Sequence, residues 1–210
     1  MKHYRREGSE GAGTREIETR EKLLNVALEL FAARGFSGTS IRDIAKAMDM
    51  SISNIYHYFG SKEGILLYLF KSSSEHLLHK LQEKAVLDLP PLEKYILLLQ
   101  THVKFLAECQ NESKLYTIDE EQLSEEVRSL SRKIQREILD LYVPTLEQLY
   151  EAGALRTRNL KIVAFSTFGV LNWMLRWYRV GGPLSVGEVC DEVVSFILHG
   201  CLVAGHGESG

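Results

Sequence analysis

Apolar residues recur at spacings of three and four along most of the chain, and alternating apolar and polar runs are few. This period is that of amphipathic helices, so the sequence predicts an all-α fold. The first clear segment covers residues 15–34 and is followed by Gly35, a residue suited to ending a helix. Its apolar positions are Leu24, Ala27, Leu28 and Phe31.

Between Ser40 and Lys62 the pattern predicts two short helices, a tight turn and the start of a third helix. Ser40 and Asp43 have the spacing of a capping box. Asp49 falls in the turn, where a left-handed residue is needed, and Ser51 is the next N-cap. The apolar positions are Ile41, Ile44, Ala45, Met48, Ile52, Ile55, Tyr56 and Phe59, with Gly60 ending the second helix and Ser61 capping the third.

Two short helices with this turn are typical of a helix-turn-helix, whose second helix enters the DNA major groove. Asn pairs with adenine through two hydrogen bonds, while hydroxyl, imidazole and ammonium groups suit phosphates. An ordinary core hairpin shows the same apolar spacing, and capping alone explains some of the hydroxyls. The candidate DNA-binding residues are Thr39, Ser40, Ser51, Ser53, Asn54, Tyr56, His57 and Lys62.

Downstream, helical periodicity predicts a body of long helices. One starts at Lys62 and runs toward Leu81; it is either the mechanical link between DNA-binding head and body or a passive strut. Pro90-Pro91 begins the next helix, and residues 110–123 are polar with at most a short helix. The remaining predicted helices are residues 124–152, 159–179 and 185–203.

The last two of these helices are strongly apolar and would leave a large patch exposed on a monomer. A four-helix bundle with the same helices of a second copy buries that patch. We therefore expect a homodimer whose two-fold symmetry suits a palindromic DNA site.

Charge and composition exclude several classes of protein. The net charge is −3; residues 1–70 hold ten Lys and Arg against nine Asp and Glu, which favours local DNA contact over bulk electrostatic binding. The three cysteines have no metal-ligand spacing, so reduced thiols in a cytoplasmic protein are expected. The N-terminal residues are polar and lack an apolar core segment, so we expect no signal peptide. The sequence shows no apolar run of membrane-spanning length, no catalytic motif and no metal motif, so we expect neither an enzyme, a cofactor nor a membrane protein.

The segment TSIRDIAKAMDMSISNIYHYFGSKEGIL resembles the DNA-binding signature of the TetR (tetracycline repressor) family of bacterial regulators. Asp49 departs from the family pattern, which usually has Gly in the turn. The resemblance implies a three-helix helix-turn-helix head and a ligand-binding, dimerising body. We expect a flexible tail at residues 1–13, the head at 14–61, the body at 62–204 and a second tail at 205–210. Lys2, Arg5 and Arg6 are either a basic DNA arm or part of a solvated tail.

The segment NWMLRWYRVGGPLS places two tryptophans and two arginines one helical turn apart. These side chains suit either stacking and ion pairing with a ligand or packing at the core or dimer interface. The segment resembles a TetR branch that is released from DNA by coenzyme A thioesters in fatty-acid, sterol-ring and aromatic-acid degradation; Val180 stands where proline is common. That resemblance implies an acyl-CoA effector and the ligand-binding residues Asn172, Trp173, Arg176, Trp177 and Arg179.

The expected function is a repressor that an acyl-CoA thioester releases from a palindromic operator in double-stranded DNA. A TetR-like repressor that senses another hydrophobic molecule, such as a drug, is the alternative. A helical interaction protein whose hairpin has lost DNA binding is a further rival.

Overall fold

The computed structural model of the protein describes residues 9–115 and 123–203, and over these residues it is built from α-helices without a regular strand. The all-α prediction is therefore confirmed. The helices are α1 (Ser9–Arg34), α2 (Ile41–Met48), α3 (Ile52–Phe59), α4 (Lys62–Ala85), α5 (Pro91–Glu108), α6 (Gln110–Lys114), α7 (Glu125–Glu151), α8 (Leu160–Trp177) and α9 (Val186–Cys201).

Three helix ends differ from the sequence prediction by two or more residues. Helix α1 starts at Ser9, inside the predicted tail, because each residue added to an existing helix needs no new nucleation step. Helix α8 stops at Trp177, since the next residue, Tyr178, is extended and buries its side chain. Helix α9 stops at Cys201 because Leu202 is also extended. The tail residues 1–8 and 204–210, including the basic-arm positions, lie outside the described residues.

The head is a compact unit that extends to Leu69. Helix α1 packs against α2, and α2 packs against α3. The first two turns of α4 belong to the same unit because Ile65 and Leu66 are buried in its core. The unit therefore ends eight residues beyond the boundary at position 61 that the sequence predicts. Its fully buried side chains include Leu23, Ala27, Ile44, Ile55 and Ile65.

The body is a second compact unit that begins at Phe70, and α5 lies at its centre against α7, α8 and α9. Tyr95 of α5 is fully buried and its hydroxyl lies 3.0 Å from the hydroxyl of Thr167 on α8. The chain after α9 pairs with the segment before α8, where the Val203 amide donates to the Ala154 carbonyl at 2.8 Å. Backbone pairing thus fixes the end of the last helix.

The outer face of α7 carries ion pairs between charged side chains. Glu125 accepts from Arg128 at 3.0 Å and from Arg132 at 2.6 Å, and Lys133 pairs with Glu137 at 3.7 Å. These pairs are exposed, so each contributes at most about 1 kcal/mol. Among the described residues, no helix is both long and apolar enough to cross a membrane.

Candidate functional sites: the reading helix and the body cavity

Local hydrogen bonds fix both ends of α2. Ser40 and Asp43 form the predicted capping box, in which the Asp43 amide donates to the Ser40 hydroxyl and the Ser40 amide donates to the Asp43 carboxylate. The hydrogen bond from the Ser40 side chain lowers the pKa of Asp43. Asp49 ends α2 with φ 50° and ψ 47°, the left-handed conformation that the turn requires.

Helix α3, here called the reading helix, presents most of the predicted DNA-binding side chains on an exposed surface. Ser51 caps its first turn by accepting from the Asn54 amide at 3.2 Å, and Ile55 is fully buried against the rest of the head. The predicted DNA-binding residues within this helix, Ser53, Asn54, Tyr56 and His57, are all exposed. A short helix held by one buried face and a capped N-terminus is a rigid support for base contacts.

Two of the predicted DNA contacts, Thr39 and Lys62, form hydrogen bonds inside the head. Thr39 is 1% exposed, and its hydroxyl lies 2.9 Å from the Gly35 carbonyl and 3.2 Å from the Leu30 carbonyl. The Lys62 ammonium donates to the carbonyls of Phe36 and Thr39 at 2.9 and 3.0 Å. Polar groups removed from water need such partners, so the buried Thr39 and the half-buried Lys62 stabilise the loop before α2.

An open groove on the head contains polar residues that the sequence analysis missed. Ser37 and Arg42 line it together with four residues that were predicted, Thr39, Ser40, Tyr56 and Lys62. Arg42 is exposed in the first turn of α2, where its guanidinium group suits a phosphate. Its place between Ser40 and Asp43, the two residues of the predicted capping box, is the sequence signal that would have identified it.

The body contains a cavity of about 320 Å³ that is lined mainly by apolar side chains. The wall comes from α4, α5, α7 and α8, and its volume is at the lower end of the range for small-molecule sites. The apolar lining includes Phe70, Leu77, Leu106, Ile134, Ile138 and Phe168.

Four polar residues complete the lining of this cavity, and none of its described lining residues is Asp, Glu, Lys or Arg. His102 is 5% exposed, and its Nδ1 lies 3.2 Å from the Tyr142 hydroxyl. Burial lowers the pKa of His102 to about 4, so the imidazole is neutral at pH 7. The other polar residues are Ser131, Gln135 and Asn172.

Of the five predicted ligand-binding residues, the structure brings only Asn172 to the cavity wall. Trp173 and Trp177 are 67% and 50% exposed, which excludes core packing within one subunit. Arg176 and Arg179 are also exposed. His102 was missed because a lone His within the apolar run Leu99, Val103 and Leu106 has no motif; its position on a buried face is the only sequence signal.

A second apolar groove, of about 220 Å³, lies between α8 and α9. Ile162 on α8 and Phe196 on α9 line it and are 58% and 68% exposed. Together with the two tryptophans, they give α8 and α9 an exposed apolar face, as the sequence predicts for these helices.

Comparison with known proteins gives a consistent assignment for both units. Residues 23–69 match the family described as bacterial regulatory proteins, tetR family, and residues 88–201 match the tetracyclin repressor-like C-terminal domain. The transcriptional repressor KstR2 of Rhodococcus jostii is 28% identical over 184 residues, which cover 86% of this chain and 90% of that protein.

Solved structures agree with this assignment. The ketosteroid transcriptional regulator KstR2 of Mycobacterium tuberculosis superimposes with a TM-score of 0.79 at 25% identity, covering 88% of this chain and 95% of that one. AibR, solved in complex with isovaleryl coenzyme A and operator DNA, shares the fold with a TM-score of 0.77 at 21% identity, covering 85% of this chain and 97% of that one. The chain therefore belongs to the TetR family of bacterial DNA-binding transcriptional regulators.

Proposed function

We propose that the protein is a homodimeric repressor that binds a palindromic operator and is released by an acyl-CoA thioester. The observation that carries the DNA-binding part is the rigid reading helix with Ser53, Asn54 and His57 exposed. Asn54 is the candidate for direct base contact because its amide can donate to and accept from adenine. Ser40, Ser51, Tyr56, His57 and Arg42 are the candidates for phosphate contact.

The proposed dimer forms through α8 and α9. Ile162, Trp173 and Phe196 expose large apolar side chains on this face, and water contact with such a surface is unfavourable. A two-fold axis through these helices brings the same face of a second copy against the groove between them. Two heads per dimer then meet the two halves of a palindrome.

The proposed effector places its acyl group in the body cavity. An uncharged, mainly apolar lining suits a hydrocarbon chain or ring and offers no carboxylate to a cationic drug, which disfavours the alternative effector class. Asn172 lines the cavity and Arg176 follows one turn later on α8, so a ligand that leaves the cavity past Asn172 comes near an exposed cation. Arg176 and Arg179 are the candidates for the anionic coenzyme A end, with Trp173 and Trp177 either beside it or in the dimer interface.

The proposed coupling runs through α4. This helix begins at Lys62, whose ammonium binds the Phe36 and Thr39 carbonyls, and it continues to Ala85. Phe70 and Leu77 on the same helix line the cavity. The ligand is expected to bind better to a conformation in which α4 has a different position from that of the DNA-binding conformation. The resulting loss of DNA affinity is limited by the ratio of the ligand's affinities for these two conformations.

DNA binding is tested by electrophoretic mobility shift with the DNA flanking the gene, using Asn54→Ala and Tyr56→Ala. Asn111 on α6, which is half-buried, and Tyr150 on α7, which is exposed, lie outside the head and supply the matched controls Asn111→Ala and Tyr150→Ala. We expect weaker binding for the two head variants alone. Unchanged affinity in both would contradict the assignment of the reading helix.

The effector class is tested by thermal unfolding with coenzyme A thioesters of different acyl length, with free coenzyme A and free fatty acids alongside. A ligand that binds only the folded protein raises the unfolding temperature with its concentration. A rise with thioesters and none with the matching free acids supports the proposal. Absence of any rise with thioesters removes the coenzyme A assignment and leaves DNA binding intact.

A further inference from the structure

The hydrogen bonds around Tyr142 determine which nitrogen of His102 carries its proton. The Tyr142 oxygen lies 3.1 Å from the Leu98 carbonyl oxygen. A carbonyl cannot donate, so the single tyrosine proton must lie between these two oxygens. The Tyr142 oxygen is then an acceptor toward His102 Nδ1, 3.2 Å away, and Nδ1 must carry the imidazole proton.

The fold keeps His102 in this state. Tyr142 is fully buried, and its ring packs edge-on against Phe168, which also contacts the imidazole. Protonation of the second ring nitrogen would place a charge in surroundings that disfavour it, since burial lowers the pKa of His102 to about 4. The imidazole is thus a neutral group whose other nitrogen, Nε2, carries a lone pair.

We propose that His102 Nε2 is a specificity-determining hydrogen-bond acceptor, and that the cavity selects ligands whose buried apolar part carries a hydroxyl group. His102 lines the cavity and Nδ1 is bonded to Tyr142, so Nε2 is the nitrogen that meets a ligand. Apart from Ser131, Gln135 and Asn172 the wall is apolar, so a hydroxyl against that apolar part loses its water without gaining a partner. This inference refines the ligand class of the proposed function and rests on the cavity being the effector site.

A free carboxylate is a poor match for this acceptor. Carboxylates accept hydrogen bonds when ionised, and a neutral Nε2 has no proton to donate. With no Lys or Arg among the described residues of the lining, an ionised acid in the cavity would have no cation to pair with. The ligand group beside His102 is therefore a neutral donor on a ring or chain.

The first experiment determines the tautomer with nitrogen-15-labelled histidine at pH 7. The two-bond correlation spectrum separates a protonated from a lone-pair nitrogen, and His102→Phe assigns the signal. We expect the protonated nitrogen at Nδ1. A proton at Nε2 would overturn the inference, because the ring would then be a donor toward the cavity.

The second experiment compares two small aromatic probes of similar size, phenol and toluene, which differ by a hydroxyl in place of a methyl group. We expect phenol to shift the Nε2 resonance and toluene to leave it unchanged. Relative to toluene, phenol should lose about two- to tenfold in affinity when His102 is replaced by Phe, the range for one neutral hydrogen bond. Equal loss for both probes, or no Nε2 shift with phenol, would contradict a hydroxyl-reading role.

Neither probe contains coenzyme A, so the result does not depend on whether the effector is a coenzyme A thioester. Binding is then measured for acyl-CoA thioesters with a hydroxyl at successive chain or ring positions. This measurement tests the coenzyme A assignment and the hydroxyl selectivity together. Preference for one hydroxyl position in the wild type, lost in His102→Phe, supports both. Thioester binding without any hydroxyl preference rejects the inference alone, whereas phenol recognition without thioester binding rejects the coenzyme A assignment alone.

Discussion

Replacing His102 by Phe should make the protein less sensitive to acid unfolding. The unfolded chain takes up a proton on this residue near pH 6.5, whereas the folded protein does so only near pH 4. Because the folded pKa is depressed, the unfolded state binds more protons between these values, and stability falls as the pH is lowered through this window. Above pH 6.5, His102 is neutral in both the folded and the unfolded chain, and this loss of stability is absent.

The magnitude follows from the gap between pKa 6.5 and about 4. At about 1.4 kcal/mol per tenfold change in proton affinity, complete titration of His102 removes about 3 kcal/mol of unfolding free energy. At pH 5, part of the way through the window, the loss is about 2 kcal/mol. Phe has no proton to bind, and it keeps a ring between Tyr142 and Phe168.

The assay is urea unfolding of wild type and His102→Phe at pH 7 and pH 5, at one protein concentration because dimer stability depends on it. Any packing cost of Phe is the same at both pH values and cancels in the comparison. His79→Gln is the control, since that imidazole is largely exposed on α4. An equal loss of stability between pH 7 and pH 5 in wild type and His102→Phe would refute the reasoning.

Three further predictions concern single positions. Gly64→Ala should unfold or destabilise the head in thermal melting, because a Cβ at this position would clash with the Phe59 carbonyl. The control is Gly187→Ala, where a Cβ meets only ordinary van der Waals contact. This control should melt at or slightly above the wild-type temperature. Thr39→Val should cost about 1–2 kcal/mol in urea unfolding without a direct change in operator contacts, since its buried hydroxyl serves two backbone carbonyls; operator affinity that falls while stability holds would contradict this. Phe196→Glu should convert the proposed dimer to monomer in sedimentation, because it places a charge on the exposed apolar face of α9; an unchanged dimer would exclude that face.

Local features of the fold were predictable because their causes are local in sequence. The capping box at Ser40 and the left-handed turn at Asp49 depend on residues within one helical turn, and the structure contains both. The long helices follow from apolar spacing alone. Sequence therefore predicts the number and type of elements in the head with little reference to distant residues.

The roles of Lys62 and His102 were not predictable for the opposite reason. Lys62 donates to carbonyls 23 and 26 residues away, so its use inside the head appears only once the chain has folded. His102 is neutral because it is buried, and its Nδ1 contacts the hydroxyl of Tyr142, 40 residues later in the chain. The motif around Trp173 indicated a ligand site, yet only Asn172 of that segment lines the cavity, because one turn of helix has both a buried and an exposed side.

The continuity of α4 limits how this protein can be recombined. The compact unit of the head ends at Leu69 and that of the body begins at Phe70, yet both residues belong to one helix. A chimera that exchanges DNA specificity while keeping effector specificity must therefore be joined inside a helix, in register. One inserted residue turns the following residues of α4 by about 100° around the helix axis and advances them by about 1.5 Å. Exchange of heads between relatives thus depends on an equal residue count across positions 62–85 rather than on a flexible linker.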